Sequence, residues 1–158
     1  MLFMNPAHLP PGPLMAVDPG SKTLGIAACN SDRTVVTPVT TIKRVKFTKD
    51  AEELLRLYDE RKCAGLIVGL PLHMEGGEGG RAQSARSFVT NLLRVRDIPV
   101  AFQDERLSTV AAEDRLIEAE IPAGKRKDMI DAEAAAGILQ AALDQIAGAS
   151  ESDMGYKF

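Results

Sequence analysis

The spacing of apolar and polar positions changes character several times along the chain, and each change marks an element. Leu14–Val17 and Leu24–Cys29 are apolar runs joined by Pro19-Gly20-Ser21, which predicts two strands and a tight turn. "TVVTPVTTI", rich in β-branched residues, predicts a third strand, and Pro38 within it requires a sheet edge or a bulge. In "KDAEELLRLYDERK" the period lengthens to that of a helix, with Leu54, Leu55 and Tyr58 on its inner stripe. "GLIVGLP" is a short unbroken apolar run, as expected of a strand covered on both faces. "HMEGGEGG" holds four glycines and predicts a loop.

A helix is expected over "RAQSARSFVTNLLRVR", a strand over "IPVAFQDE", and a helix over "STVAAEDRLIEAE" with Ser108 or Thr109 as its N-cap. Pro122 and Gly124 end that segment, and "KDMIDAEAAAGILQAALDQIA" predicts the last helix. Three early strands followed by alternating helix and strand make an α/β domain with a mixed central sheet and flanking helices. Residues 1–13 are expected as a flexible arm, 14–147 as the domain, and 148–158 as a polar tail.

Composition narrows the function classes. The chain has 158 residues, 45% hydrophobic and 26% charged, the balance of a globular protein with a sizeable core. No apolar stretch reaches the ~20 residues that span a bilayer. The opening segment has no basic leader and is interrupted by prolines, so a cytoplasmic location without membrane attachment is expected. Cys29 and Cys63 lack metal-ligand spacing and read as core residues. A net charge of −3 argues against bulk attraction to nucleic acid, yet leaves room for local basic strips. Lys43, Arg44 and Lys46 form one such cluster, Arg81 and Arg86 another, and Lys125, Arg126 and Lys127 a third. Aromatic content of 4% leaves little for base stacking.

The chemistry is expected from carboxylates. Sites in α/β sheets gather at the carboxyl ends of strands. Asp18 ends one predicted strand, and Asp104 and Glu105 end another. Asp131 heads a helical stripe continued by Ala135, Ile138 and Ala142, which should face the sheet, and Asp128 lies one turn earlier. Taken singly, each acid has an ordinary role: Asp18 in a turn, Glu105 at the surface, Asp131 paired with Lys127. Brought together, they would repel one another without a cation between them. Mg²⁺ or Mn²⁺ held by such a set, with phosphate oxygens completing the shell, suits phosphodiester cleavage.

"AVDPGSKTLGIAA", "GLIVGLPLHMEGGEGGRAQSARSF", "FQDERLSTVAAEDRL" and "KDMIDAEAAAGIL" together resemble, in order, the motifs of the YqgF family. Its members are described as pre-16S ribosomal RNA nucleases, also called Holliday-junction-resolvase-like, with a ribonuclease H fold. The resemblance spans about residues 14–145, and the "DERLST" and "GLPL" blocks are its most specific parts. It implies Asp18, Glu105 and Asp131 as the catalytic, metal-binding triad, with Asp128 at a further ligand position. It also implies a nuclease acting on structured RNA in maturation of the 5′ end of pre-16S rRNA, with ribosomal particles as partners. Lys22 and Arg106 would suit phosphate binding. His73 and Arg81 belong to the glycine-rich loop "HMEGGEGGRAQ", which would lie over the substrate as a flap or serve as a plain connection. His73 stands where asparagine is usual, and Thr23-Leu24 replaces a basic–apolar pair.

Two rival functions remain at this level besides a junction-cleaving DNA resolvase. An ATP-handling protein of the sugar-kinase and actin class would need two subdomains, each with an Asp-x-Gly loop after its first strand, and this chain is expected to form one domain. A non-catalytic nucleic-acid-binding module on the same fold would be told apart by its lack of cleavage.

Overall fold

The computed structural model describes residues 1–71, 79–104 and 123–155. Within them six strands form one sheet: β1 (Leu2–Phe3), β2 (Leu14–Pro19), β3 (Thr23–Cys29), β4 (Val36–Lys43), β5 (Gly65–Leu70) and β6 (Val100–Asp104). The spatial order is β1-β6-β5-β2-β3-β4. β2, β3 and β4 are antiparallel neighbours, whereas β2, β5, β6 and β1 run parallel. Helices α1 (Phe47–Glu60) and α2 (Gly80–Val95) cover one face, and α3 (Ala123–Gly155) covers the other. None of the described helices is long and apolar enough to cross a membrane.

Side-chain alternation in the strands builds two cores. Met15 and Val17 of β2, with Leu24 and Ile26 of β3, meet Leu54, Tyr58, Phe88 and Leu92 from α1 and α2. Leu14, Ala16 and Ala27 point the opposite way, onto Ala135, Ile138, Leu139 and Ala142 of α3. β5 is buried along its whole length, as its unbroken apolar run predicts. Each large aliphatic side chain so enclosed contributes about 1.5–3 kcal/mol relative to exposure. Pro38 lies in the edge strand β4, where the register with β3 shifts between Ile26 and Ala27. Both readings of that proline hold: edge and bulge.

Two boundary expectations change. The segment 1–13 is docked rather than flexible. Leu2 and Phe3 pair with Val100 and Ala101, Asn5 caps a short 3₁₀ turn at Pro6–His8, and Leu9 is buried. Arg33 then clamps the segment, its Nε donating to the Gly12 carbonyl at 2.9 Å and its Nη2 to that of Pro10. Gly12 has φ of +125°, a conformation that a side chain would strain. No periodicity announces this docking, because the partners come from strands far along the chain. At the other end, the expected tail from residue 148 continues as helix to Gly155. The helix expected over 108–120 and the loop residues 72–78 lie outside the described residues.

Candidate functional site

Asp18 is the fifth residue of β2, and alternation sends its side chain to the α3 face with Leu14 and Ala16. Its direct register partner on β3 is Gly25. Cβ atoms of such partners point to the same face. At Gly25 there is no room for one: a Cβ would lie 1.9 Å from the carbonyl oxygen of Asp131 and 2.3 Å from its carbonyl carbon. The backbone of α3 therefore rests on the sheet at Asp131, directly over the residue paired with Asp18. A glycine in the strand brings the two acids together.

The side chain of Asp131 is held from the sheet as well. Thr23 donates its hydroxyl Oγ1 to Asp131 Oδ2 at 2.7 Å. Thr23 begins β3 and shares the parity of Gly25 and Ala27, so it too faces α3. Below Asp131 the expected stripe is in place, with Ala135, Ile138 and Ala142 buried. Asp131 is thus an acid at the head of an apolar stripe, held by a threonine from the sheet.

Asp18 and Asp131 are both half-buried, and Asp18 Oδ1 is sealed from solvent. Carboxylate oxygens are the donors a hard divalent cation prefers, so both residues could serve as its ligands. Among the described residues, no group of three or more metal-ligating side chains is assembled. Two residues of the expected triad are thus backbone neighbours, and the third, Glu105, lies outside the described residues, as do Arg106 and His73. Asp104 shares the parity of Val100 and Phe102, which face α1 and α2. Asp128 lies on α3 one turn before Asp131, with its side chain outside the described part.

Lys22 is exposed on the turn that joins β2 to β3. That turn is closed by Gly20 N–H donating to the Thr23 carbonyl at 2.8 Å, and Arg44 N–H donates to the Lys22 carbonyl at 2.9 Å. Lys22 therefore stands at the same end of the sheet as the two acids. Arg81 does not join them, since it lies in the first turn of α2 on the other face. Neither cysteine is poised as a nucleophile. Burial pushes the Cys63 thiol up to about 11 and raises Cys29 as well, and both are free thiols.

Sequence reasoning missed Thr23 and Gly25. Thr23 reads in sequence only as a lost basic residue, and its partner is 108 positions away. The hairpin alternation was the available signal: Thr23, Gly25 and Ala27 must share a face with Asp18.

A family model described as RuvX, Holliday junction resolvase, matches residues 12–145. A protein of Paramagnetospirillum magneticum named "Putative pre-16S rRNA nuclease" is 50% identical over 135 residues, covering 85% of this chain and 87% of that one. One with the same name from Rhodospirillum rubrum is 49% identical over 140 residues, covering 87% of each. Among solved structures, T. thermophilus RuvC in complex with Holliday junction substrate aligns with a TM-score of 0.54 at 13% identity, over 86% of this chain and 96% of that one. Fowlpox virus resolvase with substrate Holliday junction DNA aligns at 0.50 and 11%, over 85% and 98%. These distant likenesses bear on the fold, which is ribonuclease H-like, as the motifs imply. From the match over residues 12–145 and relatives near 50% identity, the chain belongs to the RuvX (YqgF) family of Holliday junction resolvases.

Proposed function

We propose that the protein is a divalent-metal-dependent nuclease that cleaves structured RNA, acting in the cytoplasm in maturation of the 5′ end of pre-16S rRNA. The observation that carries this reading is the seating of Asp131 over Gly25, the register partner of Asp18. The names of the relatives supply the substrate class. Asp18 and Asp131 would hold Mg²⁺ or Mn²⁺, with Glu105 as the third ligand and Asp128 as a candidate fourth. The ion, when bound, supplies Lewis-acid stabilisation of charge on the phosphate undergoing attack.

The protein's own residues do the rest. Thr23 fixes one oxygen of Asp131, so the carboxylate is oriented before substrate arrives. The packed stripe below it holds α3 at a fixed height over the sheet. Both acids sit at a sheet end where a backbone phosphate can reach them, and Lys22 on the adjoining turn offers it a cation. Arg106 is the second proposed phosphate contact. The deciding experiment is cleavage of a pre-16S 5′-end RNA by purified protein, with metal and with chelator. Cleavage only with metal supports the reading, and none in either condition favours the binding-module alternative. A four-way DNA junction run in parallel distinguishes a resolvase.

Two further results are expected. Lys22→Ala and Arg106→Ala should each weaken RNA binding and lower the slope of log K against log salt by about one unit. Unchanged slopes in both would route the substrate elsewhere. Second, the clustered acids repel without metal, so Asp18→Asn should be at least as stable as wild type in chelator. Metal at roughly ten times Kd adds about 1.4 kcal/mol to the folded state, which raises Tm by about 3–6 °C for a chain of this size. Wild type should show that rise and Asp18→Asn should largely lose it. An Asp18→Asn protein that is less stable in chelator, yet gains as much from metal, would make Asp18 a turn residue.

A further inference from the structure

On the sheet face opposite the two acids, a groove of about 850 Å³ opens between the turn Pro19–Ser21, the start of α1 and the outer side of α2. Arg44, Lys46 and Arg81 line it, with Ser84, Ser87 and Asn91 along α2. Among the described residues Asp50 is the one acid in its lining, and that side chain is buried, with Oδ1 accepting the Val45 N–H at 3.2 Å. Three cations gathered in one groove of a chain with net charge −3 are not a bulk property. Cations interleaved with hydroxyl and amide groups are the side-chain set that contacts phosphate and sugar.

Arg44 is built into this groove. Its Nη1 donates to the Gly20 carbonyl at 2.6 Å, and its guanidinium carbon sits 5.7 Å from the centre of the Phe88 ring. Phe88 is itself fixed by an edge-on contact with Phe47, with centroids 5.9 Å apart. The bond to Gly20 uses one of the five N–H donors of a guanidinium. Much of the entropy of ordering this side chain is therefore already spent, and it presents a planar donor fork. Gly20 is two residues from Asp18, so the groove begins at the rim of the candidate active site.

We infer that this groove binds the sugar–phosphate backbone of a second segment of the substrate, which passes from the acids over the Pro19–Ser21 turn to the α2 side. The inference rests on the nucleic-acid reading above and extends it: the substrate is one that folds or branches around a sheet end. The test uses the full chain carrying Asp18→Asn, so that binding is read without cleavage. Labelled stem–loop RNA with a 5′ extension and a four-way DNA junction are each titrated across a salt series. Lys46→Glu and Arg81→Glu are added together. Both residues are exposed in first turns or at the N-cap, where an acid favours the helix, so folding is preserved.

The expected result is binding at least tenfold weaker near 0.1 M salt, with the salt slope lower by about two units, for whichever nucleic acid the parent binds. Arg44→Lys should weaken binding while keeping the charge. Affinity and slope equal to the parent in the double variant, with Lys22→Ala still lowering the slope, would overturn the groove and leave the proposed function standing. A parent that binds neither probe would overturn both.

Discussion

Asp18→Asn or Asp131→Asn is expected to lower metal-dependent cleavage about a thousandfold while leaving the fold intact. Lewis-acid stabilisation of a phosphoryl oxygen is worth several kcal/mol, and each 1.36 kcal/mol is tenfold in rate. Losing most of one ligand's contribution therefore costs about three powers of ten. The fold survives because asparagine matches aspartate in size. At position 131 its side-chain oxygen can still accept the Thr23 hydroxyl, so the 2.7 Å bond has a replacement acceptor. Glu105→Gln should follow the same pattern. Single-turnover cleavage with saturating protein, checked against circular dichroism spectra, measures this. A variant that keeps near wild-type cleavage removes its residue from the metal site.

Gly25→Ala should damage stability and activity together. The added methyl carbon would lie 1.9 Å from the Asp131 oxygen and 3.1 Å from the Ala132 nitrogen. These are backbone atoms, and no rotamer change relieves the clash. Either α3 lifts from the sheet, or the hairpin of β2 and β3 bends away. Overpacking of this kind costs typically 1–3 kcal/mol, and backbone opposition puts this site at the upper end. A loss of about 3 kcal/mol lowers Tm by roughly 6–12 °C. Cleavage should fall further than stability explains, since a displacement near 1 Å of a catalytic group costs about a hundredfold. Thermal melts and cleavage below the melting range are the two measurements. An alanine variant with wild-type Tm and rate would show that α3 does not depend on this contact.

How much of this was legible beforehand depended on distance along the chain. Asp131 stood out because Ala135, Ile138 and Ala142 repeat at helical spacing, and such a pattern is local. Asp18 stood out because an apolar run stops at a Pro-Gly turn. The meeting of the two was inferred from strand-end logic, and the contact that secures it was not visible. Gly25 looks like any small residue in a strand until α3, more than a hundred residues later, lands on it. Arg44 read as one of three basic clusters, and its fixing by Gly20 and Phe88 depends on elements from three parts of the chain. The docking of residues 1–13 was missed for the same reason, compounded by prolines that suppress any period.

That docked segment also carries a consequence for how the chain comes together as it is made. Leu2 and Phe3 leave the ribosome well ahead of their pairing partners Val100 and Ala101, which lie nearly a hundred positions behind them. At typical elongation rates the wait is roughly 5–20 s. Closing so long a loop costs on the order of 4 kcal/mol of chain entropy, which two paired residues hardly offset. Leu9, in contrast, packs against β2 and β5, which are complete once residue 70 has been added. Vectorial synthesis thus splits one short segment into two arrivals, with the Leu9 part seated well before β1. Until β6 emerges and takes up β1, the growing sheet keeps an open parallel edge at β5.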